Sequence, residues 1–314
     1  MLRPLMLAAA ALALTSAAQG QSSSDSGLSR PPVAAEALPQ HLTVQGVERD
    51  FLLLDARHGK APAPLVIALH GGGGNGATMV PRWRDLAERE GLVTAFPEGV
   101  GRTARMGTWN AEGCCGYAMT ENSADIAFVA AIIDRMIASG TVDADRVYVT
   151  GMSNGGMMTH RIAIALSDRI AAAAVVAGAM FGGEAMPKRP VPMLIMHGVR
   201  DQVVGYDGGT SPMALVARSQ SRPFLPVRSA VDFWAGADGC TAKSTQSGDG
   251  DEEITIETHS GCRGGSEVIF YRLKSATHMW PGAPNRMQML ETTPYTALDA
   301  TETIWSFFKR HARN

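Results

Sequence analysis

Residues 146–158 read RVYVTGMSNGGMM. Val147-Tyr148-Val149-Thr150 is a β-branched and aromatic run, the composition of a strand. It runs into Gly151-Met152-Ser153-Asn154-Gly155, a serine with glycines two places to either side. A helix is expected next, from about Asn154 to Leu166. A G-x-S-x-G pentapeptide between strand and helix predicts a nucleophile elbow. Such a turn holds its serine in a strained backbone conformation, and the hydroxyl stands clear at the sheet edge. The positions two before and two after approach each other and the neighbouring strands, so glycine is favoured there. The helix also aims its N-terminal amides at this point, where they can stabilise developing negative charge.

Outward from the elbow, apolar runs alternate with helical patterns. HLTVQGVERDFLLLDA (41–56) alternates as two antiparallel strands do, and APLVIALH (63–70) is a continuous apolar run, as in a strand covered on both faces. PRWRDLAEREG (81–91) reads as a helix with Pro81 near its start and Gly91 after its end. LVTAFPEG (92–99) is a further buried strand. SADIAFVAAIIDRMIAS (123–139) has helical spacing, with Ser123 as the expected cap. Two apolar strands follow, in AAAAVVAGA (171–179) and PMLIMHG (192–198), and then a long Gly/Ser/Pro-rich segment, 205–226. A helix in VRSAVDFWAGA (227–237), strands EITIET (253–258) and EVIFYRLK (267–274), and a last helix near 299–311 complete the reading. Strands alternating with helices predict an α/β fold: a mostly parallel central sheet with helices on both faces. In such sheets chemistry sits at the carboxyl ends of the strands.

The 314 residues are enough for one large α/β domain with a substantial core, and 45% are hydrophobic, as in ordinary globular chains. Lys plus Arg number 28 and Asp plus Glu 30, with no long run of one sign, so nothing points to a nucleic-acid partner. Arg3, the apolar run LMLAAAALAL and the small residues TSAAQG have the pattern of a secretory signal over residues 1–20, with cleavage expected after Ala18 or Gly20. The apolar run is short for a membrane span, and no cysteine precedes Cys114 to carry a lipid anchor. Residues 21–40, rich in Ser, Pro and Gln, read as a flexible lead-in, and 41–314 as the catalytic domain. Export, to the periplasm or beyond the cell, would place the four cysteines in oxidising conditions. Three pairings exist on paper. Cys240 and Cys262 bracket a compact polar loop and strand and are the expected disulfide; the adjacent Cys114 and Cys115 form a vicinal disulfide, stay as thiols or pair elsewhere. No repeated C-x-x-C and no H-E-x-x-H occurs, so no metal is expected.

A serine hydroxyl needs a base to take its proton and a third group to orient that base. In a fold with this elbow the chain order is serine, acid, histidine. LIMHGVRD (194–201) puts Asp201 just past a buried strand, and EVIFYRLKSATHMWPG (267–282) puts His278 after the next major one. Their rivals are less well placed. His259 lies between the two cysteines expected to pair, His311 lies in the terminal helix or tail, and His197 at a strand end suits a structural hydrogen bond. Asp207 is close enough to rival Asp201, whereas Asp232 falls within a helix. LHGGGGNG (69–76) follows a strand, and its glycines let the main chain approach a ligand; the backbone amides of Gly72 and Asn154 are the expected oxyanion donors. A phosphate loop is excluded, because no Lys-Ser or Lys-Thr follows the glycines.

Taken in order, LHGGGGNG, TWNAEGCCG, GMSNGGMM, HGVRDQVVGYDGG and THMWPG resemble the secreted polyhydroxybutyrate depolymerase-type esterases, a group close to feruloyl and acetyl-xylan esterases, from about residue 42 to the C-terminus. The resemblance implies an α/β-hydrolase fold, no cofactor and Ser153, Asp201 and His278 as the triad. It also implies that WNAEGCCG lies near the substrate cleft, with Trp109 and Trp280 as walls. The expected activity is ester hydrolysis through an acyl-enzyme, on hydroxyalkanoate oligomers or polymer, or alternatively on feruloyl or acetyl esters of plant polysaccharides. A non-catalytic binding protein on the same fold is the rival from another class. Two departures flank the acid and base: Thr277, preceded by Ala276, stands where relatives commonly have glycine, and Gly205 stands where they have proline.

Overall fold

The computed structural model describes residues 35–103, 106–247, 253–282 and 295–313. The expected signal segment, and the lead-in before residue 35, lie outside them. In chain order the elements are β1 Leu38–Val44, β2 Val47–Asp55, β3 Ala63–Leu69, α1 Val80–Glu90, β4 Val93–Pro97, α2 Gly116–Thr120, α3 Asp125–Ala138, β5 Val142–Met152, α4 Asn154–Ala165, β6 Ala172–Val176, β7 Met193–Gly198, α5 Ala214–Ala217, α6 Val227–Asp238, β8 Ala242–Ser247, β9 Ile254–Ser260, β10 Val268–Leu273 and α7 Ala300–Phe308.

The described strands form one sheet in the order β1-β2-β4-β3-β5-β6-β7-β10-β9-β8. Its six central strands, β4 to β10 in that order, pair in parallel. An antiparallel pair closes each end, β1–β2 on one side and β9–β8 on the other. This is an α/β-hydrolase fold. The central strands are covered twice, and alternate residues serve the two faces. Leu65, Ile67 and Leu69 of β3, with Val147 and Val149 of β5, pack with Phe128 and Ile132 of α3, Ile162 of α4 and Trp234 of α6. Val66, Ala68 and Tyr148 turn the other way, onto Trp83 of α1 and Trp305 and Phe308 of α7.

Local signals explain most boundaries, two expectations need correction, and two elements, α5 and β8, are additional to the sequence reading. The left-handed Gly91 (φ 71°) ends α1 as expected. β1, however, starts at Leu38, inside the expected lead-in, because Leu38–Val44 pairs residue for residue with Val47–Leu53. Ser123 does not cap α3: the N-cap is Ala124, and the Ser123 hydroxyl donates to Asp125 Oδ1 instead. The segment 205–226 contains α5. β8 was not anticipated, because the edge strand AKSTQS lacks apolar alternation and is fixed by its pairing with β9. Cys240 and Cys262 are disulfide-bonded, and so are the neighbours Cys114 and Cys115, whose peptide bond is cis. Among the described residues, no helix is long and apolar enough to cross a membrane.

Candidate active site

Ser153 follows the last residue of β5 and stands at φ 57°, ψ −123°, a conformation costly for any side chain. The bend is held from both sides. Its N–H donates to the carbonyl of Val176 at the end of β6 (2.9 Å), and its carbonyl accepts from Met157 N–H in α4 (2.9 Å). The flanking glycines are required by close approach. A Cβ at Gly151 would collide with the Gly155 carbonyl, and one at Gly155 with the carbonyl oxygens of Leu69 and His70. The elbow therefore folds as its sequence predicts, pressed against the end of β3.

The loop after β3 runs beside it. His70 is fully buried, and its ring is bonded at both nitrogens: Gly99 N–H donates to Nε2 (2.9 Å), and Nδ1 lies 2.8 Å from the Gly71 carbonyl. Since Nε2 accepts, Nδ1 carries the proton and donates. Burial lowers the imidazole pKa to about 4, so the ring is neutral near pH 7. Gly74 N–H also donates to the Gly71 carbonyl (3.0 Å). Because the peptide unit is planar and trans, fixing the Gly71 carbonyl toward His70 and Gly74 turns the Gly72 N–H the opposite way. The Gly73 N–H is bound to the Gly107 carbonyl (2.8 Å), whereas that of Gly72 has no acceptor among the described residues. Gly72 and Asn154 are side by side: a Cβ on Gly72 would lie 3.4 Å from the Asn154 Cβ.

The Asn154 side chain is buried and clamps the next loop. Its Oδ1 accepts from Trp109 N–H (2.7 Å), and its Nδ2 donates to the Trp109 carbonyl (3.0 Å). The indole Nε1 of Trp109 donates to the His70 carbonyl (2.8 Å). Asn110 N–H donates to Asp125 Oδ2 (2.8 Å), and Asp125 is paired with the equally buried Arg49 (2.8 Å). Cys114 and Cys115 pack against Met157, Phe181, Val203 and Phe224. Trp109 thus has no exposed surface. Trp280 is buried as well, with Nε1 on Thr301 Oγ1 (3.0 Å) and its ring edge-on to Trp83. The expectation that these two indoles wall a substrate cleft is corrected: each indole N–H found an interior acceptor, and both rings entered packed surroundings.

On the other flank, Asp201 follows β7 with its side chain fully shielded. Oδ1 accepts from the Val203 and Val204 amides, each at 2.8 Å. Oδ2 lies 2.8 Å from His278 Nδ1 and 3.4 Å from His197 Nε2. Burial alone would raise the carboxyl pKa. The charge of His278 and the hydrogen bonds from His197 and His278 outweigh burial and hold it well below the usual carboxylate range. His197 Nε2 also donates to the Val204 carbonyl (2.8 Å), the structural bond expected of it. The loop carrying His278 leaves β10 and folds across β7. Arg200 N–H donates to the Ala276 carbonyl (3.1 Å), and a Cβ on Gly198 would strike the Ala276 and Thr277 carbonyls. His278 is partly exposed, unlike Asp201. The rival acid Asp207 is exposed; Asp232 pairs with Arg228, His259 with Glu257, and His311 with Glu267.

β5, β6, β7 and β10 are parallel, so Ser153, Asp201 and His278 all stand at the carboxyl edge of the sheet. Sequence order had singled out these three positions. It did not find His70, Asn154 as a side-chain clamp, His197 as a second imidazole beside Asp201, or the Arg49–Asp125 pair. The signal for Gly198 was legible: a glycine closing a buried strand marks a close backbone approach.

Known proteins resemble this chain in sequence and in fold. A family model described as Esterase PHB depolymerase matches residues 52–206, about half of the chain. Residues 52–206 match the PHB depolymerase esterase family. The chain is 29% identical over 271 residues to NocK of Nocardia uniformis subsp. tsuyamanensis, an esterase by name, covering 81% of this chain and 76% of that protein. It is 30% identical over 232 residues to feruloyl esterase B of Piromyces equi, covering 70% of this chain but 40% of that protein. It is 32% identical over 164 residues to a bifunctional acetylxylan esterase/xylanase, XynS20E, of Neocallimastix patriciarum, covering 52% of this chain and 23% of that protein. Among solved structures, an acetyl xylan esterase from Aspergillus awamori superposes with a TM-score of 0.53 at 17% identity, over 76% of this chain and 93% of that one. A dienelactone hydrolase-like phosphotriesterase, P91, from metagenomic libraries superposes with a TM-score of 0.55 at 14% identity, over 87% and 98%. At those identities the superpositions support the fold, while the sequence relatives support a carboxylic ester hydrolase.

Proposed function

We propose that this chain is a secreted serine esterase whose residues 41–314, extended by the start of β1, form the catalytic domain behind a signal segment at 1–20 and a lead-in. The observation that carries the reading is the 2.8 Å contact between His278 Nδ1 and a shielded Asp201, at the sheet edge where the strained Ser153 elbow stands. With Nδ1 held by the carboxylate, His278 Nε2 is the basic atom. It takes the Ser153 proton as the oxygen attacks the ester carbonyl, and Asp201 stabilises the imidazolium. The Gly72 and Asn154 amides donate to the tetrahedral oxyanion. His278 then protonates the leaving alcohol. Water, activated by the same imidazole, releases the acid and restores Ser153.

The substrate we propose is a hydroxyalkanoate ester of the polyhydroxybutyrate type, supported by the family model over residues 52–206. A feruloyl or acetyl-xylan ester is the second reading, favoured by the names of two relatives. The N-terminal pattern and the two disulfides support secretion. Ser153→Ala should abolish turnover and leave the fold intact; a variant with wild-type activity would refute the mechanism. A panel of p-nitrophenyl esters, methyl ferulate, acetylated xylan and hydroxybutyrate oligomers tests the substrate. A preference of about a hundredfold or more, roughly 3 kcal/mol in transition-state binding, identifies the class.

A further inference from the structure

The β1–β2 hairpin lies at one end of the sheet. β1 is four strand positions from β5, about 19 Å at roughly 4.8 Å per strand, so it is remote from Ser153. Its antiparallel register sets His41 opposite Asp50 and Thr43 opposite Glu48. Alternation then puts His41, Glu48 and Asp50 on one face, while Leu42, Val44, Arg49 and Phe51 turn toward the interior. The three exposed side chains each offer a ligand atom, and these atoms lie within 4.8 Å of one another. His41 Nδ1 is already 2.6 Å from Asp50 Oδ1.

The charges around this triplet are not balanced. Several exposed or half-exposed carboxylates elsewhere face an arginine, as Asp55, Asp143, Glu267 and Glu302 do. Glu48 and Asp50 have no Lys or Arg partner among the described residues, where the one ion pair of either is the contact with His41. Arg49, between them in sequence, is directed through the sheet to Asp125. Arg135 reaches the hairpin but donates to the His41 carbonyl and to Gln40. Two carboxylates without a fixed cation, beside an imidazole, make a donor set for a doubly charged ion of intermediate hardness. Two ligands at i and i+2 plus one across the ladder approach such an ion from one side and leave its other positions to water. The imidazole disfavours magnesium and calcium, which take oxygen ligands.

We propose that His41, Glu48 and Asp50 form a Zn2+ site that ties the edge strand β1 to β2. Zn2+ binds only the paired hairpin, so it stabilises the folded chain by mass action. Isothermal titration of the full chain with ZnCl2 tests this, with MgCl2 as the control. The expected result is one saturable Zn2+ site and no heat from Mg2+. His41→Ala should weaken the affinity at least about tenfold, a ligand costing no less than its supporting contacts. Because His41 is exposed, the variant should melt with the wild type in the absence of metal. Hydrogen exchange gives the location: Zn2+ should slow the paired amides of β1 and β2 in the wild type and not in His41→Ala. No saturable binding up to millimolar Zn2+, or binding undiminished in His41→Ala, would overturn the proposal.

Discussion

Around His70, the contacts that fix the Gly71 turn and the Trp109 backbone are neutral: a ring between an amide and a carbonyl, an indole on the next carbonyl, and an asparagine side chain on the Trp109 backbone, with carboxylates met only further out, at Gly76 and Asn110. Around Asp201 the fixing is ionic, with one carboxylate collecting two amides and approached by two imidazoles. Ser153 stands at the same carboxyl edge of the sheet. Under the proposed mechanism the first flank aims dipoles and moves no proton, and burial keeps its imidazole neutral. The second cycles a proton, which fits a shielded Asp201 beside a His278 that keeps an exposed edge.

If that contrast is right, damage to the charged flank has the larger effect on rate. Asp201→Asn should lower kcat by about 10⁴-fold, since the amide can hold the wrong imidazole tautomer. Steady-state kinetics on a soluble p-nitrophenyl ester would check it. On the neutral flank, His70→Leu removes the donor that turns the Gly71–Gly72 peptide, and kcat should fall about a hundredfold with KM little changed. His70→Asn, whose amide can replace Nδ1–H, should recover part of that loss. A loss in KM alone would break the comparison.

The flanks should also fail in different pH windows. Folded His70 takes its proton at about 4 and an unfolded histidine at 6.5. Between those values the unfolded chain binds a proton that the folded chain refuses, so stability falls as pH drops from 6.5 to 4. The loss is up to about 3 kcal/mol, and it stops below 4. Asp201 has a depressed folded pKa, so its contribution is complete above its ordinary value of 3.8 and is lost only at lower pH. The buried His160, pushed down to about 3, adds its own loss over the same window. Urea titrations across pH 3 to 7 should therefore show a fall below 6.5 that is smaller, not absent, in His70→Asn. The smallest expected effect separates the two tryptophans. Trp109→Phe leaves the His70 carbonyl without its indole donor and should cost about 1–3 kcal/mol together with some kcat. Trp280→Phe should cost stability alone.

Much of this was legible in the sequence, for physical reasons that also mark where reading stopped. The elbow was legible because strand, serine, two glycines and helix are contiguous, and local sterics dictate the turn. Asp201 and His278 were legible because each follows a buried apolar run, and parallel strands deliver their carboxyl ends to one edge. The burial of Trp109 was not, because it depends on the His70 carbonyl 39 residues away. The bonding of His70 depends likewise on Gly99 and on a planar peptide, neither of which leaves a pattern in composition. β8 is polar throughout, so only its partner strand reveals it. Ser123 satisfied the cap preference and still lost to a carboxylate two residues on.

The central claim is that Ser153 is the nucleophile, activated by His278. The direct measurement is labelling with a fluorophosphonate, followed by peptide mass spectrometry, on the wild type, Ser153→Ala and His278→Ala. The account predicts a single adduct on Ser153, none in Ser153→Ala, and labelling slowed by about a thousandfold or more in His278→Ala. An adduct on another residue, or labelling of Ser153 at the same rate without His278, would contradict it.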